Sequence, residues 1–415
     1  MRYYLFPDHK WTRAAFCGYL LAMLYLVRES MFTLSVWGFY KAQFLMFGLM
    51  GALGIWFAVR NFRNLKEIIT DGRVKVALIA SGAVLLPMVL KRDWQAMYFS
   101  VLICVLFPIF LSYFVTLRQT AKAYVVIFVV LGAYSVLATY ILRPFMDRGM
   151  LPMPIFENPT GYGFYNAGLA CVSQGFVKER NFGIFREPGV YQYFLVLGLF
   201  LNEYKVIWDK LWKKRTAAAN LAVTLVTTFA TGGVLSLGLF GLLLFFEKKL
   251  YKNWKIDLAI AICVLIGLGF VAHCIAEQNK WYWQIYDMLV GKFLGGRDSS
   301  EQRLDALAFD LELFGKNPLA GAAFAYVLEG TDNNTTSSLV QLAAFGILGV
   351  WLHAAGWLTL AWDKKRSLIV NLGMTGILFL SFNTQNLTAD LFFWLFPMLA
   401  LTETWVPKLE KGRKA

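Results

Sequence analysis

Long apolar runs recur from one end of this chain to the other, and polar segments separate them. A helix that crosses a bilayer needs about 20 mostly apolar residues. The pattern predicts twelve such helices, at approximately 11–27, 41–59, 74–90, 96–115, 123–142, 188–204, 216–231, 233–246, 257–276, 338–362, 367–381 and 390–406. We therefore expect an all-α polytopic membrane protein with about twelve transmembrane helices. Because the spans must pack on one another, residues 1–415 should form a single integral membrane domain.

Composition supports the same class. Hydrophobic residues make up 58% of the 415 residues and charged residues 16%, whereas soluble domains carry about 25% charged residues. The five cysteines show no spacing typical of a metal site.

The distribution of Lys and Arg sets the orientation, since cytoplasmic loops are enriched in them. With both termini in the cytoplasm, the inner segments hold 26 of the 40 basic residues and the outer segments hold 14. The net charge of +14 then mostly reflects topology. Nucleic acid is not an expected partner, because the basic residues are scattered over many short loops.

Two predicted outer loops are much longer than the other connections, 143–187 and 277–337. Long loops often carry function, so we expect chemistry on the outer side. Ion-coupled transporters usually keep charged residues within their spans. Few ionisable residues fall inside the predicted spans here, which argues against that class.

The first long loop ends in the stretch "RNFGIFREPGVYQYF" (180–194), which gathers charge just before a span. Pro188 fits the first position of a helix, and Glu187 before it would lie where the helix dipole favours a carboxylate. Glu187 could therefore serve the helix alone, and Arg186 could simply reach lipid headgroups. Arg180 is not at a helix end, and Gly183 indicates a tight bend near it.

The second long loop carries Arg297 and Arg303 in "GGRDSSEQRLDALAFDLELFGKNPLAG" (295–321). Apolar residues at helical spacing predict an amphipathic helix from about Ser300, which Asn317-Pro318 would end. Its charges could equally be solvated ones on a surface helix. The aromatic run "WYWQIY" (281–286) could stack on sugar rings or belong to an interfacial aromatic belt.

Four arginines on the two outer loops, Arg180, Arg186, Arg297 and Arg303, suggest an anion held at the membrane surface. Guanidinium groups bind phosphate oxygens in bidentate fashion. A lipid-linked diphosphate fits this position, because its tail lies in the bilayer and its diphosphate lies at headgroup level.

In layout and in three motifs the chain resembles the O-antigen polymerase and O-antigen ligase superfamily of bacterial envelopes. The motifs are "RNFGIFREPGVYQYF", "EQRLDALAFDLELFGKNPLAG" and "TTSSLVQLAAFGILG" (335–349). The last resembles an element that begins a span and ends in Gly-Ile-x-Gly. The resemblance implies a fold like that of glycosyltransferases of the C class, with two large periplasmic loops, in the bacterial inner membrane.

One departure from the family pattern bears on the reaction. Ligases usually open the last element with His-Asn, but this chain has Thr335 and Thr336 there, and neither long loop contains His. We therefore expect a polysaccharide polymerase rather than a ligase, which would pass the glycan to a lipid A core. A flippase for lipid-linked oligosaccharides is the alternative of another class.

The resemblance implies that a glycan on undecaprenyl diphosphate is transferred to the end of another lipid-linked repeat unit. Glu187, Arg180 and Arg303 are the expected catalytic residues, with Glu187 as base and the arginines facing the leaving diphosphate. We assign diphosphate and sugar binding to Arg186, Arg297, Glu157 and Asp332, and the two acidic residues are also the next candidates for the base.

No metal or cofactor is expected for this reaction. Other membrane glycosyltransferases use an acidic pair in the first outer loop, where this chain has only Glu29. The expected partners are the undecaprenyl diphosphate-linked oligosaccharide, membrane lipids and a chain-length regulator protein.

Overall fold

The computed structural model describes residues 10–36, 38–61, 65–158, 161–175, 179–204, 207–252, 298–330 and 334–411, together with a few single positions between 265 and 277. This part of the chain is mostly helical. The helices that precede the first long loop are α1 (Lys10–Leu26), α2 (Phe39–Asn61), α3 (Leu65–Thr70), α4 (Gly72–Lys91), α5 (Ala96–Leu111), α6 (Leu117–Leu137) and α7 (Arg143–Asp147). A π-helical turn, Ala138–Leu142, joins the last two.

The helices after the first long loop are α8 (Pro188–Tyr204), α9 (Leu211–Thr227), α10 (Thr231–Glu247), α11 (Asp298–Lys316), α12 (Phe324–Glu329), α13 (Ser337–Ala361), α14 (Leu368–Phe382) and α15 (Leu391–Lys411). Their boundaries follow local chemistry. Pro188 occupies the first position of α8, where its missing N–H costs nothing. The amides of Val190 and Tyr191 donate to the carbonyl of Glu187.

Eleven of the twelve predicted apolar segments coincide with helices, and the twelfth, 257–276, lies outside the described residues. Among the described residues, four helical stretches are long and apolar enough to cross a membrane by length and composition, Phe39–Asn61, Gly72–Lys91, Leu117–Asp147 and Ser337–Ala361. Shorter apolar helices accompany them. These helices indicate a membrane protein.

Two helices form the centre of the bundle. Every residue of α8 from Val190 to Asn202 is buried, and so is every residue of α15 from Leu391 to Thr402. A helix that is buried on all sides must have neighbours all round it. Helix α15 packs against α4, α5 and α13, and α8 packs against α6, α9 and α10.

The first long loop departs from the expectation of helices alone. It contains an antiparallel sheet with strand order β1 (Ile155–Glu157), β2 (Gly163–Asn166) and β3 (Cys171–Ser173). Residues 143–147, at the start of the predicted loop, are still helical. The sheet is held by the bundle, because Cys171 N donates to the carbonyl of Gly183 and the Tyr134 hydroxyl donates to Ala167 O.

Residues 317–321 (Asn-Pro-x-x-Gly) and 346–349 (Gly-Ile-x-Gly) form one structural unit. Helix α13 is broken at Gly346, whose φ of 60° lies in the left-handed region. Backbone from the end of α11 fills the break, since Ile347 N donates to Pro318 O (2.9 Å) and Leu348 N donates to Leu319 O (3.1 Å). A Cβ at position 346 would lie 2.5 Å from Leu319 O, so only glycine fits.

Candidate functional site

Two distant segments pair at the beginning of α8 and place Arg186 beside Glu29. Met31 N donates to Ile184 O (2.9 Å), and Arg186 N donates to Glu29 O (3.1 Å). The Arg186 guanidinium then forms an ion pair with the Glu29 carboxylate through its Nε. The side chain of Glu29 is only 3% exposed, whereas that of Arg186 is 36% exposed. Arg186 is therefore anchored by a buried carboxylate rather than left free to reach lipid headgroups.

Glu187 continues this network into another part of the fold. Its Oε1 lies 3.9 Å from a terminal nitrogen of Arg186, and its Oε2 accepts a 2.8 Å hydrogen bond from Gln385 Nε2. The Glu187 side chain is 47% exposed. A small molecule can therefore reach a carboxylate whose direction is set by two neighbours.

The charge state of Arg186 follows from its surroundings. Burial by itself would lower the pKa of Arg186, but the nearby carboxylates of Glu29 and Glu187 outweigh that effect and raise it. The guanidinium is therefore a permanent cation at the surface of the site. Its proximity to two carboxylates balances that charge when no anion is bound.

Arg180 lies on a rigid part of the same loop. Its Nε donates to Thr228 O at 3.0 Å, in the turn between α9 and α10. Asn181 donates to the Ser135 and Thr227 hydroxyls, and it is fully buried. Gly183 has a φ of 56°, and a Cβ there would meet the Tyr191 ring at 2.7 Å. The bend predicted at Gly183 is confirmed.

The segments that bind Arg180 and Glu187 are neighbours in the fold. The turn that binds Arg180 leads to Gly232, where a Cβ would lie within 3 Å of both Thr384 and Gln192. Thr384 in turn precedes Gln385, the hydrogen-bond partner of Glu187. The turn that binds Arg180 therefore lies close to the segment that binds Glu187.

The second long loop contributes α11. This helix begins directly after Arg297 and ends directly before Asn317-Pro318. Asp310 on α11 is buried, and both its oxygens accept hydrogen bonds from Asn334 Nδ2, at 2.9 and 3.0 Å. Burial raises the pKa of Asp310 to about 6, while the bonds from Asn334 act in the opposite direction. This contact ties α11 to the segment that enters α13.

The other predicted residues of the second loop are only partly described. Arg303 belongs to α11, seven residues before Asp310, which corresponds to about 10 Å along the helix. Arg297, Asp332 and the aromatic run 281–286 lie outside the described residues. The convergence of the two arginine clusters therefore stays a prediction.

Glu157 and the cysteines add little to the site. Glu157 is exposed at the end of β1. Burial raises the pKa of the Cys171 thiol, so this cysteine is poorly reactive. Among the residues that the structure describes, no group of three or more His, Cys, Asp or Glu side chains could hold a metal ion.

Sequence reasoning missed the segment that completes the site, residues 383–390 between α14 and α15, here called the polar loop. It meets the beginnings of three helices. Ser338 N of α13 donates to Asn383 Oδ1 (2.8 Å), Gln385 binds Glu187 before α8, and Asp390 Oδ1 accepts from Phe392 N of α15 (2.8 Å). The sequence did carry a signal for this segment, because six of the eight residues in "NTQNLTAD" (383–390) are polar.

Helix N-termini carry partial positive charge, so the convergence of α8, α13 and α15 adds to the positive potential of Arg186.

Neither a family model nor a curated protein nor a solved structure matches this chain.

Proposed function

We propose that this protein is a polysaccharide polymerase of the O-antigen type, acting on the periplasmic side of the bacterial inner membrane. It would transfer a glycan from undecaprenyl diphosphate to the end sugar of another lipid-linked repeat unit. The observation that carries the proposal is the network in which buried Glu29 anchors Arg186 beside the half-exposed Glu187 and its partner Gln385.

The arginines have the chemistry that a lipid diphosphate needs. Arg186 and Arg180 would bind the phosphate oxygens, and Arg303 and Arg297 would join them from the second loop. When the bond between the anomeric carbon and the diphosphate oxygen breaks, the electron pair leaves with the undecaprenyl diphosphate. Fixed cations stabilise that developing charge without reorganising during the reaction.

Glu187 would act on the acceptor. The acceptor hydroxyl attacks the anomeric carbon and transfers its proton to the carboxylate of Glu187. The hydrogen bond from Gln385 to Oε2 leaves Oε1 on the Arg186 side of the carboxylate. The acceptor hydroxyl approaches the anomeric carbon from the face opposite the leaving diphosphate, so Glu187 would face the acceptor while the arginines face the diphosphate.

Deletion of the gene tests the proposal. We expect single repeat units on the lipid carrier or on the core, and no long chains. Long chains that remain on the lipid carrier would instead identify a ligase. Repeat units that accumulate on the inner leaflet would identify a flippase.

Complementation then tests the arginines. Arg180→Ala and Arg303→Ala should each lower polymerisation by roughly 10²–10³-fold, the usual cost of losing one such donor. A Lys substitution at position 180 should restore only part of the activity, because it loses the bidentate geometry. Arg148→Ala, at an exposed position of the same loop, is the control. Normal polymerisation by both alanine variants at normal expression would refute this account of the site.

A further inference from the structure

The polar loop reaches into the bundle rather than lying across its end. Ala389 O lies 3.6 Å from Cys104 Sγ, and Cys104 is near the middle of α5. Six of the eight residues of the loop are polar. A polar segment at that depth needs partners for its hydrogen-bonding groups.

Surrounding helices hold the polar loop in a defined conformation. Gln192 Nε2 of α8 donates to Thr384 Oγ1 at 2.6 Å. The Ser337 hydroxyl at the start of α13 bonds the carbonyls of Phe382 and Gln385, and it accepts from Leu387 N. The loop is therefore a fixed wall of the site.

Some hydrogen-bonding groups of this wall have no partner. Among the described residues, four buried polar atoms on it or against it have no hydrogen-bond partner: Gln192 Oε1, Ser338 Oγ, Thr388 Oγ1 and Asp390 Oδ2. An unsatisfied buried polar atom costs about 1–3 kcal/mol. Four of them around one loop indicate that a hydroxyl-bearing ligand or water completes the hydrogen bonding.

We propose that the polar loop is the subsite that binds the acceptor glycan, an inference that rests on the proposed glycosyl transfer. Thr384 and Asn386 are half-buried. The Thr384 hydroxyl accepts from Gln192 and donates to Ser381 O, which leaves one acceptor lone pair for a ligand. The Asn386 Oδ1 accepts from Thr388 N, and its amide nitrogen can donate to a ligand. They flank Gln385, which binds Glu187. An uncharged sugar hydroxyl both donates and accepts hydrogen bonds, so it suits this wall, whereas the diphosphate suits the arginines.

Gln385 has a specific part in this arrangement as a positioning residue. It links the wall that would hold the acceptor to the carboxylate that would take the acceptor proton. A hydrogen bond of 2.8 Å therefore fixes the position of the Glu187 carboxylate relative to this wall.

Kinetics of the purified full-length chain in lipid nanodiscs test the subsite. Donor and acceptor are lipid-linked glycans extracted from a host strain that lacks the gene. Thr384→Val should raise the KM for single repeat units about 5–10-fold, the effect of losing a neutral hydrogen bond, and change kcat much less. The matched control is Thr375→Val on α14, because the Thr375 hydroxyl only bonds Asn371 O within its own helix. Equal KM values for the two variants would overturn the proposal.

A second measurement does not require turnover. In a background whose five cysteines are replaced by serine, Asn386→Cys is labelled with a maleimide in the presence of the lipid-free repeat oligosaccharide. We expect slower labelling at position 386 and no change for Trp212→Cys, an exposed residue at the start of α9. Undiminished labelling at saturating oligosaccharide would show that only water completes the loop.

The two proposals fail in different ways. If the wild type polymerises lipid-linked repeats, but Thr384→Val leaves KM unchanged and the oligosaccharide does not protect Asn386→Cys, the subsite alone is refuted. If the oligosaccharide protects Asn386→Cys, but the wild type forms no polymer, the polymerase is refuted and the subsite is retained.

Discussion

Replacement of Arg186 should affect stability and activity by separable amounts. Arg186→Gln leaves the Glu29 carboxylate, 3% exposed, without its cationic partner. Breaking a fully buried ion pair in this way costs about 3–5 kcal/mol. Since the Arg186 side chain is 36% exposed, we expect a smaller loss of unfolding free energy, about 2–3 kcal/mol.

The double variant Glu29→Gln/Arg186→Gln removes the orphaned charge and puts two neutral amides in its place. Its unfolding free energy should return to within about 1 kcal/mol of the wild type. Polymerisation should remain roughly 10²–10³-fold lower, because the cation that we propose binds the leaving group is still missing.

Equilibrium unfolding in mixed detergent micelles and polymerisation in nanodiscs measure the two quantities on the same preparations. Arg118→Gln is the matched control, because its pairing with Asp209 (3.9 Å) is exposed at both side chains and should contribute less than about 1 kcal/mol. A double variant as unstable as Arg186→Gln would refute the buried pair as the cause. A double variant with full activity would show that Arg186 does not bind the donor.

Three further predictions concern topology, the helix break and pH. Tyr326 and Trp212 are both exposed, and the proposed topology places Tyr326 in the periplasm and Trp212 in the cytoplasm. An impermeant maleimide should therefore label Tyr326→Cys in intact cells and Trp212→Cys only after the cells are broken. Gly346→Ala should cost roughly 1–3 kcal/mol of unfolding free energy, whereas Gly376→Ala, with no atom within 4 Å of the new Cβ, should be neutral or stabilising. The pKa of Asp310 is raised by burial from 3.8 to about 6, so its protonated form is favoured on folding. The wild type should therefore lose stability as pH rises through that interval, and equilibrium unfolding of Asp310→Asn should show a smaller slope.

Local features of the fold were accessible from the sequence. Apolar runs of sufficient length predicted helices at eleven segments, and Pro188 marked the beginning of α8. Asn317-Pro318 correctly predicted the end of α11, which falls at Lys316. In each case the cause lies within a few neighbouring residues, such as a missing N–H or a restricted φ.

Features that depend on distant contacts were missed. The run from 337 to 361 is predominantly apolar, so it predicted an uninterrupted span. The break at Gly346 exists because the backbone of 318–319 enters there. Likewise Glu29 and Arg186 are 157 residues apart, and nothing in either segment alone indicates their pairing. The sheet in the first long loop has strands of three or four residues, too short for a clear alternation pattern.

The position of the site follows from the architecture of the buried helices. Helices α8 and α15 are surrounded by protein from Val190 and Leu391 onward, so water has little access to the N–H groups of their first turns. The chain must supply acceptors there, and it does so with the Glu187 carbonyl and the Asp390 carboxylate. The Arg186–Glu29 pair, Glu187 and the polar loop therefore lie together where these two central helices begin. At Glu187 the backbone carbonyl accepts the N–H groups of the first turn of α8, while the half-exposed carboxylate remains available for chemistry, so one residue can serve both the helix and the proposed reaction.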